Sequence, residues 1–114
     1  MKLPKRIVVD FIDSKDHRYD TIGDYWQEGD TWIFKVTNFK NDPNFSIIVL
    51  LHELIESSLA KIRGISWKAI DKFDMNYKGE YGQVGEDPAA PYYNEHKFST
   101  KIHRMIKKEM SKKY

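Results

Sequence analysis

The chain contains no cysteine. That absence excludes disulfides and thiolate ligands, so any bound metal must be held by His, Asp or Glu. Long apolar runs are missing too. The longest, Ile47 to Leu51, falls far short of the roughly 20 residues a membrane helix needs, and no membrane association is expected. The apolar stretch within MKLPKRIVVDFIDSKD is too short and too soon charged for a signal peptide, which favours a cytoplasmic protein. No internal repeat or low-complexity segment is visible. The chain has 114 residues, 40% of them hydrophobic and 14% aromatic. That suits a single domain over 1–114 with a real core, and argues against a disordered chain.

A formal charge of +2 conceals an uneven distribution. From Lys101 to Tyr114 there are six Lys or Arg and one acid, while the preceding hundred residues carry more acids than bases. A basic helical tail over 101–114 is therefore expected. Its cations suit the negative pole of a helix dipole. Nucleic-acid contact through this tail is the less favoured reading, because no aromatic interleaving or recognised module accompanies it.

The segment RIVVDFI, Arg6 to Ile12, is rich in β-branched residues and reads as a strand. Asp24–Gln27 and Thr31–Thr37 flank Glu28-Gly29-Asp30, a plausible hairpin turn, and Trp32, Phe34 and Val36 alternate to give one apolar face. A helix is expected from about Phe45 to Arg63, capped by Asn44 or Ser46 and stopped by Gly64. A second, capped by Ser66, runs from Trp67 to about Tyr77, and a third begins near Asn94. Between them KGEYGQVGEDPAAPYY reads as a long loop that delivers Glu95 and His96 to the first helix. The expected fold class is α+β: a small antiparallel sheet, made of the N-terminal strand and the hairpin, packed by three helices.

On a helical wheel with His52 at zero, an apolar arc from about 200° to 340° holds Ile47, Leu51, Leu54, Ile55 and Ile62. His52 and Glu56, at about 40°, are bracketed by that arc and by Val49 and Ala60, whereas Glu53, Ser57 and Lys61 form the polar edge. An ionisable pair inside an apolar face costs several kcal/mol unless a hydrogen bond or a cation compensates. Asp74 sits similarly between Ile70 and Trp67, and Glu95 between Ile102 and Ile106, with His96 and His103 together on the flank. His52, Glu56, Asp74, Glu95 and His96 are thus candidate ligands of a divalent metal, drawn from three helices. In the bland alternative they form a structural network, with Asp74 paired to Arg63 or Arg104. Arg18, in the charged turn RYDTIGD, could receive an anionic substrate, and His17 is expected at the surface.

His52-Glu53-Leu54-Ile55-Glu56 resembles the zincin motif H-E-x-x-H with Glu in place of the second His. The resemblance implies His52 and Glu56 as ligands, Glu53 as catalytic base, a downstream third ligand, and zinc in preference to Mg²⁺ or Mn²⁺. Glu53-x-x-Glu56 with Asp71-x-x-Asp74 is similar to the acidic motifs of all-α nucleotide pyrophosphohydrolases, which would imply Mg²⁺ or Mn²⁺. The wider pattern RYDTIGDYW, LLHELIESSLAKIRGI and GEDPAAPYYNEHKFSTKI resembles short phage and prophage proteins, a likeness that implies no reaction. The leading expectation is a metal-dependent hydrolase acting on a peptide or a phosphoester. The rival is a non-enzymatic phage or host-interaction protein.

Overall fold

The strand richest in alternating large apolar residues takes the middle of the sheet. In the computed structural model, which describes residues 1–112, β1 spans Arg6–Ile12, β2 Gly23–Glu28 and β3 Thr31–Thr37. Lys113 and Tyr114, the end of the expected basic tail, lie outside the described residues. The strand order is β1-β3-β2. Gly29, with φ of 56°, stands first in the two-residue turn joining β2 to β3, the place where a type II′ hairpin needs a positive φ.

The sheet is mixed rather than antiparallel. β2 pairs antiparallel with β3, but β1 runs parallel to β3, with Ile7, Val9 and Phe11 in register with Trp32, Phe34 and Val36. Placing β1 beside β3 buries the most apolar strand between two neighbours and aligns three apolar residues on each. Periodicity sets which face of a strand is apolar but not which way its partner runs.

Helix α1 spans Pro43–Ile62, α2 Trp67–Met75 and α3 Tyr93–Met110. The cap of α1 is Asp42, whose carboxylate accepts from the Phe45 N–H, with Pro43 in the first turn. Neither Asn44 nor Ser46 does this. Ser46 is buried, its Oγ donating to the Thr37 carbonyl and accepting from the Phe39 N–H. At the other end Gly64 has φ of 72°; its N–H reaches the Lys61 carbonyl and that of Ile65 the Ala60 carbonyl, a Schellman stop. Ser66 caps α2 as expected.

The buried face of α1 is Ser46, Ile48, Val49, His52, Glu56, Ser57 and Ala60. It is therefore rotated away from the apolar arc, and His52 and Glu56 lie near its centre rather than at its edge. Ser57, assigned to the polar edge on the wheel, is fully buried, while Ile47 and Ile62 are exposed. The core lies between the sheet and the helices, built on Tyr25, Trp32, Phe34, Ala60, Trp67, Ile70, Ala90 and Tyr92. Trp67 packs edge-on against Tyr25, with ring centroids 5.0 Å apart, and its Nε1–H donates to the Ser57 carbonyl. α3 crosses α1 closely because the fully buried Ser99 carries only a hydroxymethyl group, whose Oγ donates to the His52 carbonyl at 2.6 Å. That contact brings His96, one turn earlier on α3, against the centre of α1.

Candidate metal centre

His52, Glu56 and His96 are all buried and meet at one point. His52 Nε2 is 3.2 Å from Glu56 Oε2 and 3.2 Å from His96 Nδ1, and His96 Nδ1 is 2.8 Å from Glu56 Oε2. Each group is oriented by a neighbour. The Tyr25 hydroxyl donates to Glu56 Oε1 at 2.9 Å, and His96 Nε2–H donates to Gln83 Oε1 at 3.2 Å. With Nε2–H donating there, a neutral His96 presents its Nδ1 lone pair to the carboxylate oxygen, and a protonated one donates to it. Two imidazole nitrogens and a carboxylate oxygen therefore converge, and protons or a cation must lie among them. Burial alone would raise the pKa of Glu56, but hydrogen bonds from His52 and His96, and their charges, outweigh it and hold the carboxylate below its ordinary range.

A tetrahedral cation bound at 2.0–2.1 Å separates its ligand atoms by about 3.3 Å. The observed triangle, with sides of 3.2, 3.2 and 2.8 Å, is close to one face of that tetrahedron. Two imidazoles and one carboxylate are a donor set that could hold a divalent cation. No family model matches the chain, and no curated protein or solved structure matches it. The chemistry of the site rests on its own geometry.

The triad opens into a cavity of about 530 Å³, within the range of small-molecule sites. Glu53 and Asp74 line it as well. Glu53 does not lie on a solvated edge: Gly23 at the start of β2 covers it so closely that a Cβ there would fall 2.6 Å from Glu53 Oε1. Burial first, then the charges of Glu56, Asp24 and Asp74, raises its pKa well above the ordinary value. Asp74 accepts from the Tyr92 hydroxyl at 2.7 Å and the Tyr19 hydroxyl at 3.1 Å. It pairs with neither Arg63 nor Arg104. Burial raises its pKa to about 6 despite those two hydrogen bonds, with smaller contributions from Glu56 and Asp24.

The five expected ligands thus separate. His52, Glu56 and His96 converge, Asp74 lines the same cavity without joining them, and Glu95 turns the other way. Glu95 is 4% exposed and accepts from Arg63 Nη1 at 2.6 Å, a buried-end ion pair between α1 and α3. Consecutive residues on a helix point about 100° apart, and here that divergence turns Glu95 to Arg63 while His96 meets Glu56. Arg18 is not available to a ligand either. It forks onto Asp24 and Asp71 and lies 4.1 Å over the Trp26 ring. His17 is half-buried, with Nε2 at 2.8 Å from Thr37 Oγ1. His103 lies beside the triad, its ring centroid 5.8 Å from that of His52. Burial, then the charges of His52, Lys107 and Arg104, lowers its pKa.

Two partners of the triad had no sequence signal. Gln83 comes from the long loop, where the short 3-10 turn Val84–Glu86 lays Gly85 against the His96 ring. Tyr25 belongs to the apolar run of β2, and only the approach of α1 turns its hydroxyl into a carboxylate donor.

Proposed function

We propose that the chain is a small metal-dependent hydrolase in which His52 Nε2, Glu56 Oε2 and His96 Nδ1 hold a divalent cation. The observation that carries this reading is the near-equilateral triangle of two imidazole nitrogens and a carboxylate oxygen, all from residues that line one cavity. The imidazole-rich donor set favours zinc over Mg²⁺ or Mn²⁺. A bound cation supplies Lewis acidity toward the scissile group. Tyr25 and Gln83 orient the carboxylate and the imidazole around it, as outer-shell partners do in metal enzymes. Glu53, on the residue after His52 and facing the same cavity, is the proton carrier. It takes a proton from the attacking water as the new bond to oxygen forms, and returns it to the leaving group as the scissile bond breaks. Its raised pKa suits a group that must both accept and donate.

The Mg²⁺-dependent nucleotide reading ranks second. Glu53, Glu56, Asp71 and Asp74 do line one cavity, but Arg18 occupies Asp71 and two tyrosines occupy Asp74. The mixed sheet also departs from an all-α fold. In the non-enzymatic reading the triad merely fastens α1 to α3 through protons.

Elemental analysis of protein purified in metal-free buffer and then exposed to zinc separates these readings. One zinc per chain is expected in the wild type, with loss in His52→Ala, Glu56→Ala and His96→Ala. Glu53→Gln should keep the metal and lose turnover on a panel of peptide and phosphoester substrates. No stoichiometric metal, with no thermal shift on adding Zn²⁺, Mn²⁺ or Mg²⁺, would overturn the proposal.

A further inference from the structure

Beside the triad the cavity has a wall of a different character. Thr100, His103, Arg104 and Lys107 follow His96 along α3 at helical spacing and all line the cavity. Among the described residues Arg104 and Lys107 are the only Lys or Arg side chains that line it, and neither forms an ion pair or hydrogen bond. The acids of the opposite wall are mostly engaged already: Asp24 and Asp71 by Arg18, Asp74 by Tyr19 and Tyr92, and Glu56 by Tyr25 and the two imidazoles. Glu53 faces the cavity without such a partner, and Asp20 and Glu86 stand exposed at its mouth. The positive wall begins where the triad ends, since His103 lies edge-on to His52.

We infer that this α3 wall is a phosphate subsite, and that the substrate of the proposed hydrolase carries a phosphate group held by Arg104 and Lys107, with Thr100 and His103 beside them. The inference rests on the metal-site reading for the reaction, but the subsite stands on its own charges. Arg104 lies eight residues beyond His96, about 12 Å along the helix axis, and helical side chains lean back toward the N-terminus. One metabolite-sized molecule therefore spans from the triad to the guanidinium within a cavity of about 530 Å³. A phosphate offers several acceptor oxygens to diverging donors, including the two parallel N–H groups of an Arg fork. A carboxylate has only two oxygens and would leave part of this donor set unused.

Inorganic phosphate is the probe, titrated calorimetrically into zinc-exposed and metal-free protein at low and physiological ionic strength. Saturable binding is expected, weaker at higher salt, and roughly tenfold weaker in the Arg104→Ala/Lys107→Ala double variant. Zinc content and melting temperature should be unchanged in that variant, because neither side chain supports the fold. Lys108→Ala, outside the cavity, should bind phosphate as the wild type does. Zinc uptake without phosphate binding, or equal phosphate affinity in the double variant, removes the subsite and leaves the metal centre standing. Phosphate binding through Arg104 and Lys107 in a protein that takes up no zinc keeps the subsite and removes the hydrolase. Displacement of phosphate by an equal concentration of succinate would overturn the assignment to phosphate.

Discussion

Gly85→Ala tests the metal centre without touching a ligand. Gly85 is buried, and a Cβ at this position would lie 2.5 Å from Cγ, 2.6 Å from Nδ1 and 2.9 Å from Cδ2 of His96. Carbon atoms in contact ordinarily sit about 3.5–4.0 Å apart, so the ring must retreat by roughly 1 Å. Cγ is the root of the ring, so a rotation about the last side-chain bond does not relieve the clash. The ring must leave its present place between Glu56 Oε2 and Gln83 Oε1. Overpacking of this kind costs about 1–3 kcal/mol. At about 4 °C per kcal/mol for a domain near this size, melting should fall by roughly 4–12 °C. Metal sites tolerate displacements of only about 0.2 Å, so zinc affinity should drop about ten- to a hundredfold, the range seen when outer-shell partners are lost. Thermal melts and a chelator competition titration read the two effects separately. Gly82→Ala, which would meet nothing within 4 Å, is the matched control. Wild-type melting and zinc affinity in Gly85→Ala would refute the packing of the loop against His96, and with it the part of Gln83 and Gly85 in orienting that ring.

Glu95→Gln should leave zinc stoichiometry unchanged, since Glu95 faces Arg63 and not the triad. Arg63→Ala should destabilise the fold by about 3 kcal/mol in a denaturant titration, because it strands a buried carboxylate. Asp74 has a folded-state pKa of about 6, above its ordinary value. Its acid form therefore stabilises the fold below about pH 4, and that contribution is lost as pH rises through about 6. The stability of the wild type minus that of Asp74→Asn should fall by about 2 kcal/mol across this window, and a flat difference would contradict the burial of the group. Gly23→Ala pushes on the flexible end of Glu53 rather than on backbone. It should fold and keep its metal, while turnover falls at least about tenfold as the carboxyl is displaced. Equal turnover would remove Glu53 as the proton carrier.

Local chemistry made most of the elements legible. β1 and β3 occupy the segments expected from their β-branched and alternating residues, and Gly29, Gly64 and Ser66 punctuate the chain where their backbone freedom or hydroxyl suits a turn, a stop or a cap. Asp, Asn and Ser all stand near the start of α1, and its cap is Asp42, two residues before Asn44 and four before Ser46, because the Pro43 ring settles which one precedes the first turn. The rotation of α1 was harder to read. Its apolar arc pointed to one face, but the aromatic cluster of Tyr25 and Trp67 and the close crossing at Ser99 draw in the neighbouring face instead.

Sequence alone determined that His52 and Glu56 lie one turn apart on a helix, and that any metal here must be bound by imidazole and carboxylate. Tertiary structure decided the rest of the site. It selected His96 over Glu95, because the two diverge on α3 and Glu95 reaches Arg63 at the end of α1 instead of Glu56. It kept Asp74 off the triad by giving it two tyrosine hydroxyls. It also laid Gly23 over the carboxyl of the half-buried Glu53, a contact between residues thirty positions apart. Direction of a partner strand and rotation of a packed helix depend on contacts distant in the chain, and local periodicity carries no record of them.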